Sequence, residues 1–213
     1  MTATLCLQGG GPFSANDELD ARLLAAHPGR VVVLPTADAF EHPEQLVAAA
    51  AAWGTRLGAS IDRDVQVEAL MVMRRSEAMD SGAANVVRGA TAVYLVGDQP
   101  LHLRSVLKDT PVWDAIRQVL TDGGVVVGCA GSAAGLCDPM VDPRGGAFTL
   151  GLGLVNDLAL VTSAETWSAD RLHRTLKLAN TTVAALPTGS ALIRIGTTWQ
   201  TEGDVTMHGE LPQ

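Results

Sequence analysis

Gly123-Gly124-Val125-Val126-Val127-Gly128-Cys129-Ala130-Gly131-Ser132-Ala133-Ala134-Gly135 is the stretch whose reading decides the fold. Its valines form a short apolar run of the kind that becomes a buried strand. The run passes into a turn made only of small residues and then into a helix. This is the grammar of a nucleophile elbow, where one residue is held at strained backbone angles and strand and helix cross closely. A helix start at such a bend lowers a thiol pKa and supplies amides for an oxyanion. Cys129, Ala130, Gly131 and Ser132 are therefore candidate site residues. The same small residues also suit a close-packed turn with no chemistry.

Upstream, four more apolar runs read as strands: Thr4–Leu7, Arg30–Leu34, Val65–Val72 and Thr91–Val96. Helical stretches separate them, at Asp17–Ala26, Glu44–Arg56 and Ser76–Val87. Thr110-Pro111 opens another helix, with Thr as N-cap and Pro in the first turn, running through Trp113, Ile116 and Leu120. Alternation of strand and helix implies right-handed crossovers and a doubly wound parallel sheet with helices on both faces. After Gly135 the chain turns often between Asp138 and Gly146, then forms one more helix over Ser168–Leu178. From Thr182 onward it alternates like short antiparallel strands at Ala191–Ile195, Thr198–Thr201 and Val205–His208, giving a C-terminal antiparallel hairpin. No repeat or linker interrupts residues 1–213, so a single domain is expected.

Ligands of open parallel sheets gather beyond the carboxyl ends of the strands. Two further strand ends carry unusual residues. Gln8-Gly9-Gly10-Gly11-Pro12 lets backbone approach a ligand closely, making Gly10 and Gly11 candidates, or it is a flexible turn. No G-x-G-x-x-G follows, so it is not a dinucleotide fingerprint. Val96-Gly97-Asp98-Gln99-Pro100-Leu101-His102 ends a strand and starts a helix, placing Gly97, Asp98, Gln99 and His102 together above the sheet. A plainer reading has Asp98 capping the helix and His102 on the surface.

Composition narrows the partners. A net charge of −8 and the lack of a basic stripe argue against nucleic acid and anionic membranes. Aromatic residues are only 4%, so Val, Ala and Leu must fill a core drawn from 47% hydrophobic residues. The amino-terminal apolar run is short and lacks a basic flank, so no signal peptide is expected. No stretch reaches a transmembrane length of roughly 20 residues. Cys6, Cys129 and Cys137 lack metal or disulfide spacing. A reduced cytoplasmic protein is expected, with no metal or cofactor. Cys6 and Cys137 read as buried small hydrophobes. Trp53, Trp113 and Trp167 read as core or interface anchors. His173 falls beside Arg171 and Arg174 on what reads as a solvated face. The Asp138–Gly146 loop suits either a lid or a structural turn.

Tyr94-Leu95-Val96-Gly97-Asp98-Gln99-Pro100-Leu101-His102-Leu103, the elbow, and Cys137-Asp138-Pro139-Met140 resemble the peptidase E/cyanophycinase family of serine peptidases. The resemblance covers nearly the whole chain. It implies a flavodoxin-like sheet of the class I glutamine amidotransferase type, and cleavage of small peptides by Ser and His with an acidic partner. The family elbow G-x-S-A-G-A aligns with Gly128-Cys129-Ala130-Gly131-Ser132-Ala133, so alanine stands at the serine position. The segment expected to hold the histidine is Val161-Thr162-Ser163-Ala164-Glu165, which offers Ser163 as a substrate-side hydroxyl instead. The family's G-I-D-E becomes Ala185-Leu186-Pro187-Thr188. Gly97, Asp98 and Gln99 carry over as oxyanion-side and substrate-side residues. Losing a triad leaves ~10³–10⁴-fold over water. The expectation is a pseudoenzyme that binds a small molecule, short peptide or protein partner, with helix faces that suit a homodimer. Shifting the register by one residue gives the alternative, a Cys129-dependent hydrolase, amidase or acyl-transfer enzyme with His102 as base. A further register puts Ser132 at the bend. Repurposed acid–base catalysis by Asp98 and His102 is another reading.

Overall fold

The computed structural model describes residues 2–212. The chain begins with β1 (Thr4–Gln8), α1 (Asp17–Ala26), β2 (Val31–Leu34), α2 (Pro43–Ser60) and β3 (Val67–Ala69). It continues through α3 (Arg75–Ala78), α4 (Ser81–Arg88), β4 (Ala92–Leu95), α5 (Pro100–Leu107), α6 (Pro111–Thr121), β5 (Val125–Cys129) and α7 (Gly131–Leu136). Short strands follow: β6 (Cys137–Asp138), β7 (Met140–Val141), β8 (Phe148–Thr149) and β9 (Val155–Asn156). The remainder is β10 (Leu158–Thr162), α8 (Ala169–Leu178), β11 (Thr182–Leu186), β12 (Ala191–Ile195), β13 (Thr198–Glu202) and β14 (Thr206–His208).

The main sheet has the order β13-β12-β1-β5-β4-β2-β3. β1, β5, β4, β2 and β3 run parallel, and β12 joins β1 antiparallel. Every residue of β1, β2, β4 and β5 is buried, as strands covered on both faces require. Alternate side chains supply two cores. Leu5, Leu7, Val32, Val93 and Val126 pack under α4 to α7, while Cys6, Val33, Tyr94 and Val127 pack under α1 and α2. The thin aromatic supply is concentrated on the second face, where Phe13, Trp53 and Tyr94 meet with ring centroids 4.9–6.5 Å apart. Such aromatic contacts add to the burial energy.

Three local departures from the sequence expectations have physical causes. The single helix expected over Ser76–Val87 is two, because Asp80 leaves the helical conformation and its carboxylate accepts from the Gly82 and Ala83 N–H groups, restarting the chain as α4. The strand expected over Val65–Val72 pairs only at Val67–Ala69, on the sheet edge. The third is β11, which the alternating pattern placed with the antiparallel tail. It pairs parallel with β10, and β14 pairs antiparallel with β11 in a separate sheet. One face of that sheet, through Leu158, Leu160, Ala184 and Leu186, joins the main core. The other, through Ala159, Val161, Val183 and Ala185, packs against Trp167, Leu172 and Leu176 around α8. β12 and β13 form an antiparallel pair, with Ala191 opposite Glu202. No helix among the described residues is long and apolar enough to cross a membrane.

Candidate functional site

The bend between β5 and α7 falls at Ala130, whose φ of 58° and ψ of −130° lie where an L-residue is strained. Three contacts hold it there. The Ala130 N–H donates to the Gln8 carbonyl at 3.1 Å, and the Ser132 N–H donates to the Gly97 carbonyl at 2.9 Å. A Cβ on Gly131 would lie 2.5 Å from the Asp98 carbonyl carbon, so only glycine lets α7 sit against the end of β4. Gly97 has φ +116°, and a Cβ there would lie 2.5 Å from the Ala37 backbone. The Gly97 and Gly131 turns therefore pack backbone to backbone, which is why the sequence carries small residues at both strand ends.

Beside the bend opens a cleft of about 330 Å³. Asp98 and Pro100 at the start of α5, with Gly131 and Ala134 of α7, form one wall. Leu160, Thr162 and Ser163 at the end of β10 form the floor, and Thr166, Trp167 and Arg171 close the far side. Val141 and Pro143 complete the rim. The Arg171 guanidinium carbon sits 3.5 Å from the centre of the Trp167 ring. Its Nη2 donates to the Pro143 carbonyl, while its Nε is buried and has no hydrogen-bond partner among the described residues. A cation held at the cleft wall on an indole is suited to an anionic group. Pro143 belongs to the turn-rich Asp138–Gly146 loop. That loop is fixed to α8 a second time, by the Thr175 hydroxyl donating to the Gly146 carbonyl at 2.9 Å.

A second polar group lies at the ends of β1, β10 and β11. Ser163, at φ 46° and ψ 46°, donates its N–H to the Gly9 carbonyl at 2.8 Å. A Cβ on Gly10 would lie 2.9 Å from both the Ser163 Oγ and the Thr188 Oγ1. The Thr188 hydroxyl donates to the Glu165 Oε1 at 2.6 Å, and its N–H donates to the Glu165 Oε2 at 3.1 Å. These bonds hold the Glu165 carboxyl below its usual range. Gly11, at φ +67°, continues the same turn.

The expected site residues thus divide. Gly97, Asp98, Ala130, Gly131 and Ser163 come together around the bend and cleft, and Gly10 adjoins Ser163. Gln99 faces outward and donates to Glu41 at 3.4 Å. Ser132 is fully buried with its Oγ 3.4 Å from the Gly97 carbonyl, so its hydroxyl is not presented at the bend.

The expected lowering of the Cys129 pKa does not occur. Cys129 is 1% exposed and packs into the core under α1 and α2, where burial pushes its thiol well above the ordinary value and nearby Asp20 adds to the effect. The short helix cannot offset that desolvation. Nor does His102 turn toward it: the imidazole Nε2 is 3.0 Å from the Met73 carbonyl, and the ring meets Phe40 edge-on at 4.5 Å.

Arg171 is the residue that sequence reasoning missed, having read it as part of a solvated face. The available signal was Trp167 four residues earlier, which reaches the same side as Arg171 just ahead of α8. Trp167 accordingly lines the cleft rather than anchoring the main core. Among the described residues, no group of three or more His, Cys, Asp or Glu side chains is placed to hold a metal ion.

No family model matches the chain, and no curated protein matches it. Solved structures do share its fold. A peptidase from an acI-B1 actinobacterium superposes with a TM-score of 0.79 at 23% identity, over 98% of this chain and 90% of that one. A protein from Listeria monocytogenes EGD-e, provisionally assigned as a peptidase E, superposes with a TM-score of 0.70 at 17% identity, over 95% and 98%. At these identities the likeness defines a fold class: a mixed α/β domain with a peptidase-like architecture.

Proposed function

We propose that this protein is a peptidase E-like domain without the serine peptidase machinery, and that it binds a small molecule or short peptide bearing an anionic group. Its sheet is read as the flavodoxin-like form shared with class I glutamine amidotransferases. The observation carrying the proposal is Ala130 at the strained bend, where the resemblance leads one to expect the nucleophile. Ser163, Glu165 and Thr188 occupy the strand ends where the resemblance led us to expect an imidazole and its acid. Without nucleophile and base, the fold retains a cleft but lacks a covalent route. Arg171, a cation lining the cleft and stacked on Trp167, supplies the recognition. The alternative, a Cys129-dependent hydrolase or acyl-transfer enzyme, requires an accessible thiolate. Burial and the raised pKa of Cys129 weigh against it.

Calorimetric titration with an aspartyl dipeptide, followed by product analysis, tests the reading. Binding without cleavage is expected, and Arg171→Gln should weaken binding about tenfold or more, the loss of a charged hydrogen bond. Turnover that survives Cys129→Ala would overturn both the binding reading and its thiol alternative. Failure of the wild type to bind would remove the anion assignment.

A further inference from the structure

Asp20 lies on the opposite side of the sheet from the cleft, in the buried face of α1, and is 1% exposed. A carboxyl so deeply buried normally has a cationic partner. Among the described residues no salt bridge reaches this one: Arg22, two positions along, pairs with Glu202, and Arg56 on α2 pairs with Asp17. Its neighbours are uncharged donors and thiols. Gln8 on β1 donates its Nε2–H to Oδ1 at 2.7 Å, and Tyr94 on β4 donates its hydroxyl to the same oxygen at 3.2 Å. Cys6 on β1 and Cys129 on β5 are close enough for Asp20 to raise their pKa values. From α2 the Trp53 N–H lowers the Asp20 pKa without reaching hydrogen-bond geometry. On its own helix Asp17 is the charged neighbour, and it raises the pKa.

With both donors directed at Oδ1, the neutral acid carries its proton on Oδ2 and uses Oδ1 as a carbonyl acceptor. Ionisation makes both bonds charge-assisted, shorter and stronger. Gln8 is the relay. Its side chain binds Asp20, while its backbone carbonyl accepts the Ala130 N–H and its Cα pairs with Cys129. A pull on the Gln8 side chain is therefore transmitted through one residue to the strained bend. Gly131, the next residue, lines the cleft.

We propose that Asp20 is a positioning residue for the Ala130 bend, and that the protonation state of its carboxyl sets, through Gln8, the backbone geometry at the edge of the cleft. Burial raises the Asp20 pKa to about 7, with the Gln8 and Tyr94 bonds opposing the rise, so the carboxyl changes charge near neutrality. The functional consequence rests on the cleft being the binding site, but the coupling itself is read without any ligand, so the two can fail separately.

The experiment is a pH titration of ¹⁵N-labelled protein followed through the Ala130 backbone amide and the Gln8 side-chain amide. Both resonances should shift together with a midpoint near 7. In Asp20→Asn, a neutral isostere of the protonated form, both should stay flat. Tyr94→Phe removes one bond to the charged form, so it should move the midpoint upward while keeping the two signals coupled. An Ala130 amide that stays fixed while Gln8 titrates, or one that titrates unchanged in Asp20→Asn, overturns the proposal.

Discussion

Ala130 and Gly131 show how little room two residues can have. Ala130 accepts a positive φ because three backbone contacts over-determine it, and Gly131 has no space for even one carbon beside Asp98. Gly131→Ala forces either α7 or the Asp98 turn to move. A loss of about 1–3 kcal/mol is expected in urea unfolding, typical of overpacking. A loss below about 0.5 kcal/mol would show that the two turns do not pack as described. The need for glycine there was legible as a pattern of small residues. What lay opposite it was not, because Asp98 and Gly131 are 33 positions apart and only chain folding brings them into contact.

Among the elements, helix boundaries follow local rules where those rules have no competitor. Thr110 caps α6 as its sequence suggests, with its Oγ1 accepting the Trp113 N–H at 3.2 Å. Asp80 does the same for α4, yet it sits inside a pattern that reads as one helix. Periodicity detects the apolar face and overlooks a cap within it, since α3 and α4 both bury residues such as Ala78, Ala84 and Val87 in one core. Asp80→Ala should cost about 1 kcal/mol by thermal or denaturant unfolding, and Asp80→Asn much less, because Asn caps nearly as well. Equal losses for both variants would point to charge rather than capping. The placement of β11 shows the converse failure. Its alternating pattern fixes one face toward a core and the other toward a partner, but cannot say whether the neighbouring strand runs parallel or antiparallel.

For the molecule as a whole, the buried carboxyl of Asp20 should govern how stability depends on pH. Its value rises from 3.8 when unfolded to about 7 when folded, so between those limits the native state holds a proton that the unfolded chain has released. Stability must then fall as pH rises through that window and level off above it. A shift of this size corresponds to a loss on the order of 4 kcal/mol. Denaturant unfolding across the range should show the decline in the wild type and a much flatter profile in Asp20→Asn. A wild type more stable at pH 7 than at the acid end of the window would contradict it. The Asp142 and Glu165 carboxyls, both held below their usual values, act oppositely, and their contribution is lost only as pH falls through their own lower range.

By itself the sequence determined the parallel α/β architecture, since valine-rich runs alternating with amphipathic helices have few other ways to bury both faces. It also determined that the critical bend is built from small residues, while the structure put Ala130 rather than Cys129 or Ser132 at its apex. Tertiary structure decided the chemistry around that bend. It buried Cys129 away from His102, stacked Arg171 on Trp167 across the cleft, and joined Asp20 to Ala130 through Gln8. Local pattern reports which face of an element is apolar, whereas a thiol's acidity or a guanidinium's place in a cleft depends on desolvation and partners brought from distant parts of the chain.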